Sequence, residues 1–178
     1  MPKQQYDLVP TSLAVAAMRD SGYRNTAYAV AELIDNAIQA NAKSVELICC
    51  ERQQFVAQRT RRNIHQIAVV DNGTGMDTTV LRQALQFGNG QYLNDRSGIG
   101  RFGMGLPSSS ISQCRRVDVW TWQNGPDRAI YTYIDLNQVE AGTQAEVPSP
   151  QPTPVPTPWR KVAGNIGTSG TLVVWSEL

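Results

Sequence analysis

The sequence is poor in the groups that most often carry metal or nucleophilic chemistry. Its 178 residues include one histidine and three cysteines. His65 has no second histidine and no cysteine spacing to match it, which argues against a His/Cys metal centre and against a histidine-based triad. Cys49 and Cys50 are adjacent, and with Cys114 they make no disulfide framework. They fit a reducing cytoplasm and are read as buried small apolar groups. An excess of charge is also missing. Lys and Arg number 16 against 15 Asp and Glu, for a net charge of +1, so bulk charge gives no reason to expect nucleic acid or a membrane surface as partner. The one basic cluster, Arg59, Arg61 and Arg62, lies between two apolar runs and reads as a solvated turn. No run is long and apolar enough to cross a bilayer, and MPKQQYDLVP at the N-terminus lacks the apolar core of a signal peptide.

What is present suits one globular domain with a real core: 41% of the residues are hydrophobic. Residues 11–20 form a first predicted helix, capped by Thr11 or Ser12 and broken by SGYRN. Asn25 or Thr26 caps a second, which runs to about Ala42. Within it, Val30, Leu33, Ile34, Ala37 and Ile38 fall at i, i+3, i+4, i+7 and i+8, one apolar face. SVELICC (44–50) and IHQIAVV (64–70) read as strands joined by a hairpin or loop. TTVLRQALQF (78–87) is helical by period, and a further helix starts near Leu106 with Pro107 in its first turn. RRVDVWTW (115–122), AIYTYID (129–135) and TLVVW (171–175) read as strands. VPSPQPTPVPTP (147–158) favours extended polyproline and reads as a surface insertion before the last strand.

Four stretches carry candidate chemistry. In AELIDNAIQA (31–40) the face opposite the apolar stripe holds Glu32, Asp35, Asn36 and Gln39, with no Lys or Arg among them. Ordinary solvated faces mix signs, because Glu and Lys at i, i+4 stabilise a helix slightly. This face offers only oxygen-rich groups, suited to a cation and an activated water. In VVDNGTGMD, Asp71 closes a strand and Gly73 and Gly75 follow. The pattern fits a plain hairpin turn. It also fits a carboxylate accepting a hydrogen bond from an exocyclic amine such as adenine N6, with glycines leaving room for a flat ring and Met76 covering one ring face. SGIGRFGMGL (97–106) contains G-x-G-x-x-G at residues 98–103, but a dinucleotide fingerprint must follow a buried strand, and here FGNGQYLNDR precedes it. No G-K-[ST] follows. A glycine-rich run entering a helix still offers N–H groups to phosphates. The last stretch, SGTLVVW, opens a strand with Gly170 and Thr171 and says little alone.

In order, E-L-I-D-N-A, D-N-G-T-G-M, G-I-G-R-F-G-M-G-L and G-T-L-V-V resemble the GHKL ATPases: gyrase B, heat-shock chaperone ATPases, histidine kinases, MutL and the MORC proteins. The resemblance covers roughly residues 25–175, and A-V-A-E-L-I-D-N-A with L-Q-F-G…G-R-F-G-M-G-L-P-S-S-S is most similar to MORC or related prokaryotic chaperone-like members. It implies an α/β two-layer sandwich of the Bergerat type, with helices on one face of a mixed, mostly antiparallel sheet. Residues 1–178 would form one ATP-binding domain, with the Pro-rich insertion at about 147–158. The resemblance implies Glu32 as general base, Asn36 as Mg²⁺ ligand, and Asp35 in an orienting role. It implies Asp71 as adenine contact, supported by Thr171, with Gly73 and Gly75 at the close backbone approach. Residues 88–105 would be a lid, with Gly98, Gly100, Arg101, Phe102, Gly103, Met104 and Gly105 toward the phosphates.

The cytoplasmic expectation rests on the cysteine usage alone. The same resemblance implies ATP hydrolysis, with dimerisation when the lid closes. It also implies a following transducer-type domain, beyond Leu178, that supplies a Lys or Arg to the terminal phosphate. Lys3, Lys43 and Lys161 are the only lysines, and none lies in a motif matching that contact. Histidine kinases usually carry Asn where Glu32 stands and need an upstream phosphoacceptor His, which residues 1–31 lack. Hydrolysis is therefore expected over phosphotransfer, with a nucleotide-gated switch lacking turnover as the alternative. The sequence leaves the client open between DNA and protein.

Overall fold

The computed structural model describes residues 11–56, 59–88 and 105–178. Two helices come first, α1 (Thr11–Ser21) and α2 (Thr26–Gln39), followed by the paired strands β1 (Val45–Val56) and β2 (Arg59–Asp71). Then come α3 (Thr78–Ala84), α4 (Gly105–Gln113), β3 (Arg116–Trp122), a 3-10 turn at Pro126–Arg128 and β4 (Ile130–Asp135). The chain ends with α5 (Leu136–Glu140), β5 (Gln151–Pro152), α6 (Thr157–Val162) and β6 (Gly170–Ser176). The strands form one sheet in the order β1-β2-β6-β3-β4-β5. Every pairing is antiparallel, so the sheet of the expected α/β sandwich is not mixed among the described residues.

The central strands are buried on both faces, which is why IAVV and TLVVW are unbroken apolar runs and do not alternate. One set of side chains, Ile67, Val69, Val117, Val119, Val173 and Trp175, packs under α2, α3 and α4 with Val30, Leu33, Leu81 and Ile111. The alternate set, Ala68, Val70, Trp120, Trp122, Leu172 and Val174, packs beneath Val155, Trp159 and Ile166. Each fully buried Val or Leu contributes about 1.5–3 kcal/mol relative to exposure. The two most deeply buried indoles are hydrogen-bonded as well: Trp175 Nε1 donates to Ser110 Oγ at 2.8 Å and Trp122 Nε1 to the Gly167 carbonyl at 3.0 Å.

The proline-rich segment covers a sheet edge. Its prolines occupy every second position from Pro148 to Pro158, so only the residues between them keep an N–H. Three of these face the sheet: Gln151 pairs with Tyr131, the Thr153 N–H donates to the Ala129 carbonyl at 2.9 Å, and the Val155 N–H to the Pro126 carbonyl at 3.0 Å. On the outer side proline has nothing to donate, which protects the edge from further pairing. Most of the segment lies at the surface, but Val147 and Val155 enter the two cores. Its last two residues, Thr157 and Pro158, are not extended but open α6, where a first-turn proline gives up no helical hydrogen bond.

Several local expectations change. The second helix stops at Gln39, because Asn41 takes a left-handed φ of 59°. The third stops at Ala84. Ile38, expected on the apolar face, is 60% exposed, and Ala29 takes a place in the buried stripe instead. Arg59, Arg61 and Arg62 are not in a turn: they lie within β2, since β1 and β2 remain paired out to Val56 and Arg59. Of the cysteines only Cys114 is buried; Cys49 is exposed, on the outermost strand. Burial pushes the Cys114 thiol up to about 12.

Candidate functional site

One cleft of about 310 Å³ opens between α2, the ends of β2 and β6, α3 and the start of α4. That is the low end of the size range of small-molecule sites, about 300–1,000 Å³. Glu32, Asn36, Asp71, Gly75, Met76, Gly105 and Thr171 all line it. Seven residues singled out from four separate stretches of sequence therefore meet at one place. Gln39, Gln83 and the apolar side chains of Leu33, Val69, Val80, Leu106 and Val173 complete the walls. Asp35 and Gly73 are not on the lining. Gly98, Gly100, Arg101, Phe102, Gly103 and Met104, with most of the expected lid, lie outside the described residues.

The carboxylate at the strand end is held by backbone. Asp71 closes β2 and pairs directly with Thr171 of β6. It is 8% exposed, and its Oδ1 accepts the Gly73 N–H at 2.7 Å. Burial pushes its pKa above the usual carboxylate range, while the N–H groups of Gly73 and Thr171 pull it partly back. Gly73 is required here by space, since a Cβ would meet the Ala40 carbonyl at 2.8 Å. Gly75 is required by conformation, with φ at 67°, and by the Trp122 carbonyl against which a Cβ would press. Asn72 fixes the turn by accepting the N–H groups of Lys43 and Ser44, both at 2.8 Å.

Thr121 was not visible in the sequence as part of this site. Its hydroxyl is fully buried, accepts the Met76 N–H at 2.9 Å and donates to the Gly170 carbonyl at 3.0 Å. Thr171 Oγ1 lies 3.2 Å away. With the Thr121 proton committed to Gly170, the Thr171 hydroxyl donates to Thr121 and leaves its lone pairs toward the cleft. Thr121 thus ties together the glycine turn and both residues that open β6. A threonine in the middle of a strand carries no signal of that role.

Glu32 sits at the other end of the cleft, on the α2 face opposite the buried Ala29, Val30, Leu33 and Ala37. Asn25 caps this helix by accepting the Ala27 N–H at 2.8 Å. Tyr23 donates its hydroxyl to Glu32 Oε2 at 3.0 Å. Burial and the carboxylates of Glu32 and Asp35 raise the Tyr23 pKa, which keeps the phenol protonated as a donor. The other Glu32 oxygen lies against Gly105 at the start of α4, where a Cβ would collide with it. Gln113 links the two helices, donating to the Tyr23 carbonyl at 2.7 Å and accepting from Thr26 Oγ1 at 2.6 Å. Tyr23 lies in the segment read from sequence only as a helix breaker.

The donor set bears on a metal. Among the described residues, no group of three or more His, Cys, Asp or Glu side chains could hold an ion. The cleft offers the Asn36 amide oxygen and the Glu32 carboxylate. Few hard oxygen donors suit Mg²⁺, which keeps several waters and takes its other ligands from substrate phosphates.

A sequence model of the family described as histidine kinase-, DNA gyrase B- and HSP90-like ATPase matches residues 23–168. The ATPase MORC2B of Mus musculus is 27% identical over 123 residues, covering 68% of this chain and 11% of that protein. The ATPase MORC2 of Homo sapiens is 25% identical over a segment of the same length and coverage. The chain spans only about a tenth of the length of these curated relatives. In three dimensions it resembles the crystal structure of the N-terminal domain of a DNA repair protein, with a TM-score of 0.58 and 21% identity. That match covers 93% of this chain and 39% of the other, and at such identity it speaks to the fold. No helix among the described residues is long and apolar enough to cross a membrane.

Proposed function

Because the chain belongs to the histidine kinase-, DNA gyrase B- and HSP90-like ATPase family, we propose that its cleft binds ATP and hydrolyses it to ADP and phosphate. The observation that carries this reading is the convergence of Glu32, Asn36, Asp71 and Thr171 on one cleft from three distant segments of chain. Asp71 accepts the N6 amine of adenine, and Thr171 turns its free lone pairs to the same edge. Guanine presents a carbonyl in place of that amine, so ATP is preferred over GTP. Met76 and Val173 enclose the ring.

At the opposite end Glu32 takes a proton from water as the water oxygen attacks the terminal phosphorus. The bond from that phosphorus to its bridging oxygen breaks, and ADP leaves with the electron pair. Tyr23 orients the carboxylate, and Gly105 gives it room beside α4. Asn36 would hold Mg²⁺, which when bound supplies positive charge to the phosphates. Residues 88–105 act as a lid, and its closure accompanies dimerisation within a larger MORC-like or chaperone-like protein. The cationic contact to the terminal phosphate comes from another domain, so turnover by these residues alone is slow.

Calorimetry with ATP, ADP and GTP, paired with phosphate release, tests the reading. ATP binding with Mg²⁺ and release of phosphate that Glu32→Ala slows by about 10²–10⁴-fold support it. Equal ATP and GTP affinity overturns the adenine contact. Tight ATP binding with no phosphate release, even in a longer chain, favours a nucleotide-gated switch.

A further inference from the structure

The sheet continues past the body of the domain. β6 pairs with β2 only from Gln66 to Asp71, whereas β1 and β2 stay paired from Glu51 opposite Ile64 to Val56 opposite Arg59. This outer part is a two-stranded ribbon, and residues 51–55 and 59–64 are all exposed. A ribbon of this kind buries too little to stabilise itself. Its composition is also unlike a face awaiting a core: four arginines, one glutamate and several amides, in a chain whose net charge is +1.

The register sorts these side chains by face, because directly opposed residues point the same way and the next pair points the other. One face carries Arg52 opposite Asn63, Gln54 opposite Arg61, and Arg59 at the outermost pair. It holds no carboxylate. The other carries Glu51, Gln53, Phe55, Thr60, Arg62 and Ile64, and there Arg62 lies 3.8 Å from Glu51. The first face therefore presents three guanidinium groups over two steps of two residues, about 13 Å. Between them Asn63 donates to Gln54 at 3.3 Å.

We infer that this face binds duplex DNA, with Arg52, Arg59 and Arg61 on phosphates and Gln54 and Asn63 toward base edges. Guanidinium groups stay charged and fork onto phosphate oxygens. Asn and Gln amides match the adenine edge in the major groove. The major groove of B-DNA, about 12 Å wide, admits a two-stranded ribbon, whereas the deep, narrow groove of A-form RNA does not. A membrane surface fits less well, because the exposed aromatic side chain of the ribbon, Phe55, is on the opposite face. The site is separate from the cleft and does not depend on its nucleotide assignment.

Fluorescence anisotropy with labelled duplex DNA tests it. Neutralising three phosphates gives a slope of log affinity against log salt of about −2.7, so binding weakens about 40-fold between about 50 and 200 mM salt. Arg52→Gln/Arg59→Gln/Arg61→Gln removes binding and flattens the slope, while Arg62→Gln changes affinity by less than about twofold. Unchanged melting and nucleotide binding of the triple variant show that the fold and the cleft are intact. The inference is overturned by four results: no duplex binding at the lower salt, equal losses from Arg62→Gln and Arg61→Gln, equal affinity for duplex RNA or single strands, or a light-scattering dimer that the triple variant dissolves.

Discussion

Replacing Asp71 with asparagine keeps the shape of the cleft floor and removes its charge. The Gly73 N–H, 2.7 Å from Oδ1, requires an oxygen at that position. The amide oxygen of the substituted side chain is therefore held by Gly73, and its NH₂ group is turned toward the ligand. A charge-assisted acceptor for adenine N6 becomes a donor facing a donor. Losing such a hydrogen bond costs about 1.5–3 kcal/mol, or roughly 10- to 150-fold in ATP affinity. The same NH₂ group suits the guanine carbonyl, so GTP affinity is kept or gains. Stability moves the other way. Burial raises the Asp71 pKa, so the folded chain holds this proton more tightly than the unfolded chain does. Ionising Asp71 therefore costs nothing below the unfolded value, an increasing amount as pH rises through the raised one, and its full amount above it. Near neutral pH Asp71→Asn removes that cost, and the melting temperature rises while ATP binding falls. Affinity of the wild type falls as pH drops through the raised value, because only the carboxylate accepts the amine. Calorimetry with ATP and GTP beside thermal melts checks all three. Equal losses for both nucleotides, or ATP affinity within about twofold of wild type, refute the reasoning.

Glu32→Ala leaves nucleotide binding nearly intact and lowers turnover by about 10²–10⁴-fold in a hydrolysing form of the protein, measured by phosphate release. Tyr23→Phe lowers kcat by about 10-fold with KM unchanged, because the carboxylate loses the hydroxyl that aims it. Gly105→Ala drives a methyl into Glu32 and costs about 10²-fold in kcat, with ATP affinity changed far less; steady-state kinetics beside calorimetry separate the two. A maleimide reagent labels Cys49 in the native protein at neutral pH and spares Cys114, whose buried thiol stays protonated; peptide mapping by mass spectrometry reads the difference.

The element types were legible where a local rule acted alone. Val30, Leu33 and Ala37 mark the buried face of α2, and Asn25 marks its start. The fate of Ile38 was not legible, because a helix in a two-layer fold buries a narrower stripe than its apolar residues occupy. The same limit explains the ribbon. ERQQF and RTRRN have no apolar alternation, so nothing local distinguishes strand from turn. Their pairing is carried outward from Leu47 opposite Val69 and its neighbours, where β2 is buried in the sheet. The proline spacing signals extended chain up to Pro156 but not the helix that Thr157 and Pro158 open. Its alternation becomes meaningful only once β4 lies beside it, with acceptors for the N–H groups of Thr153 and Val155.

The candidate site divides along a related line. Glu32, Asn36, Asp71 and the glycines were legible because the chemistry expected of them restricts residue type: a base, an amide ligand, a carboxylate acceptor, a backbone without Cβ. Tyr23 and Thr121 act through a single hydroxyl, which many positions in any chain possess, and only the geometry gives that hydroxyl a partner. Thr121 reaches Gly170 and Met76 because β3 and β6 pair it opposite Thr171. Tyr23 reaches Glu32, nine residues further along the chain, because the bend between α1 and α2 sets it against the polar face of α2. The sequence thus declares the groups that would touch a ligand, and the fold selects the groups that hold them in place. A variant series confined to the motif residues would miss the second kind, and Tyr23→Phe and Thr121→Val are the substitutions that measure it.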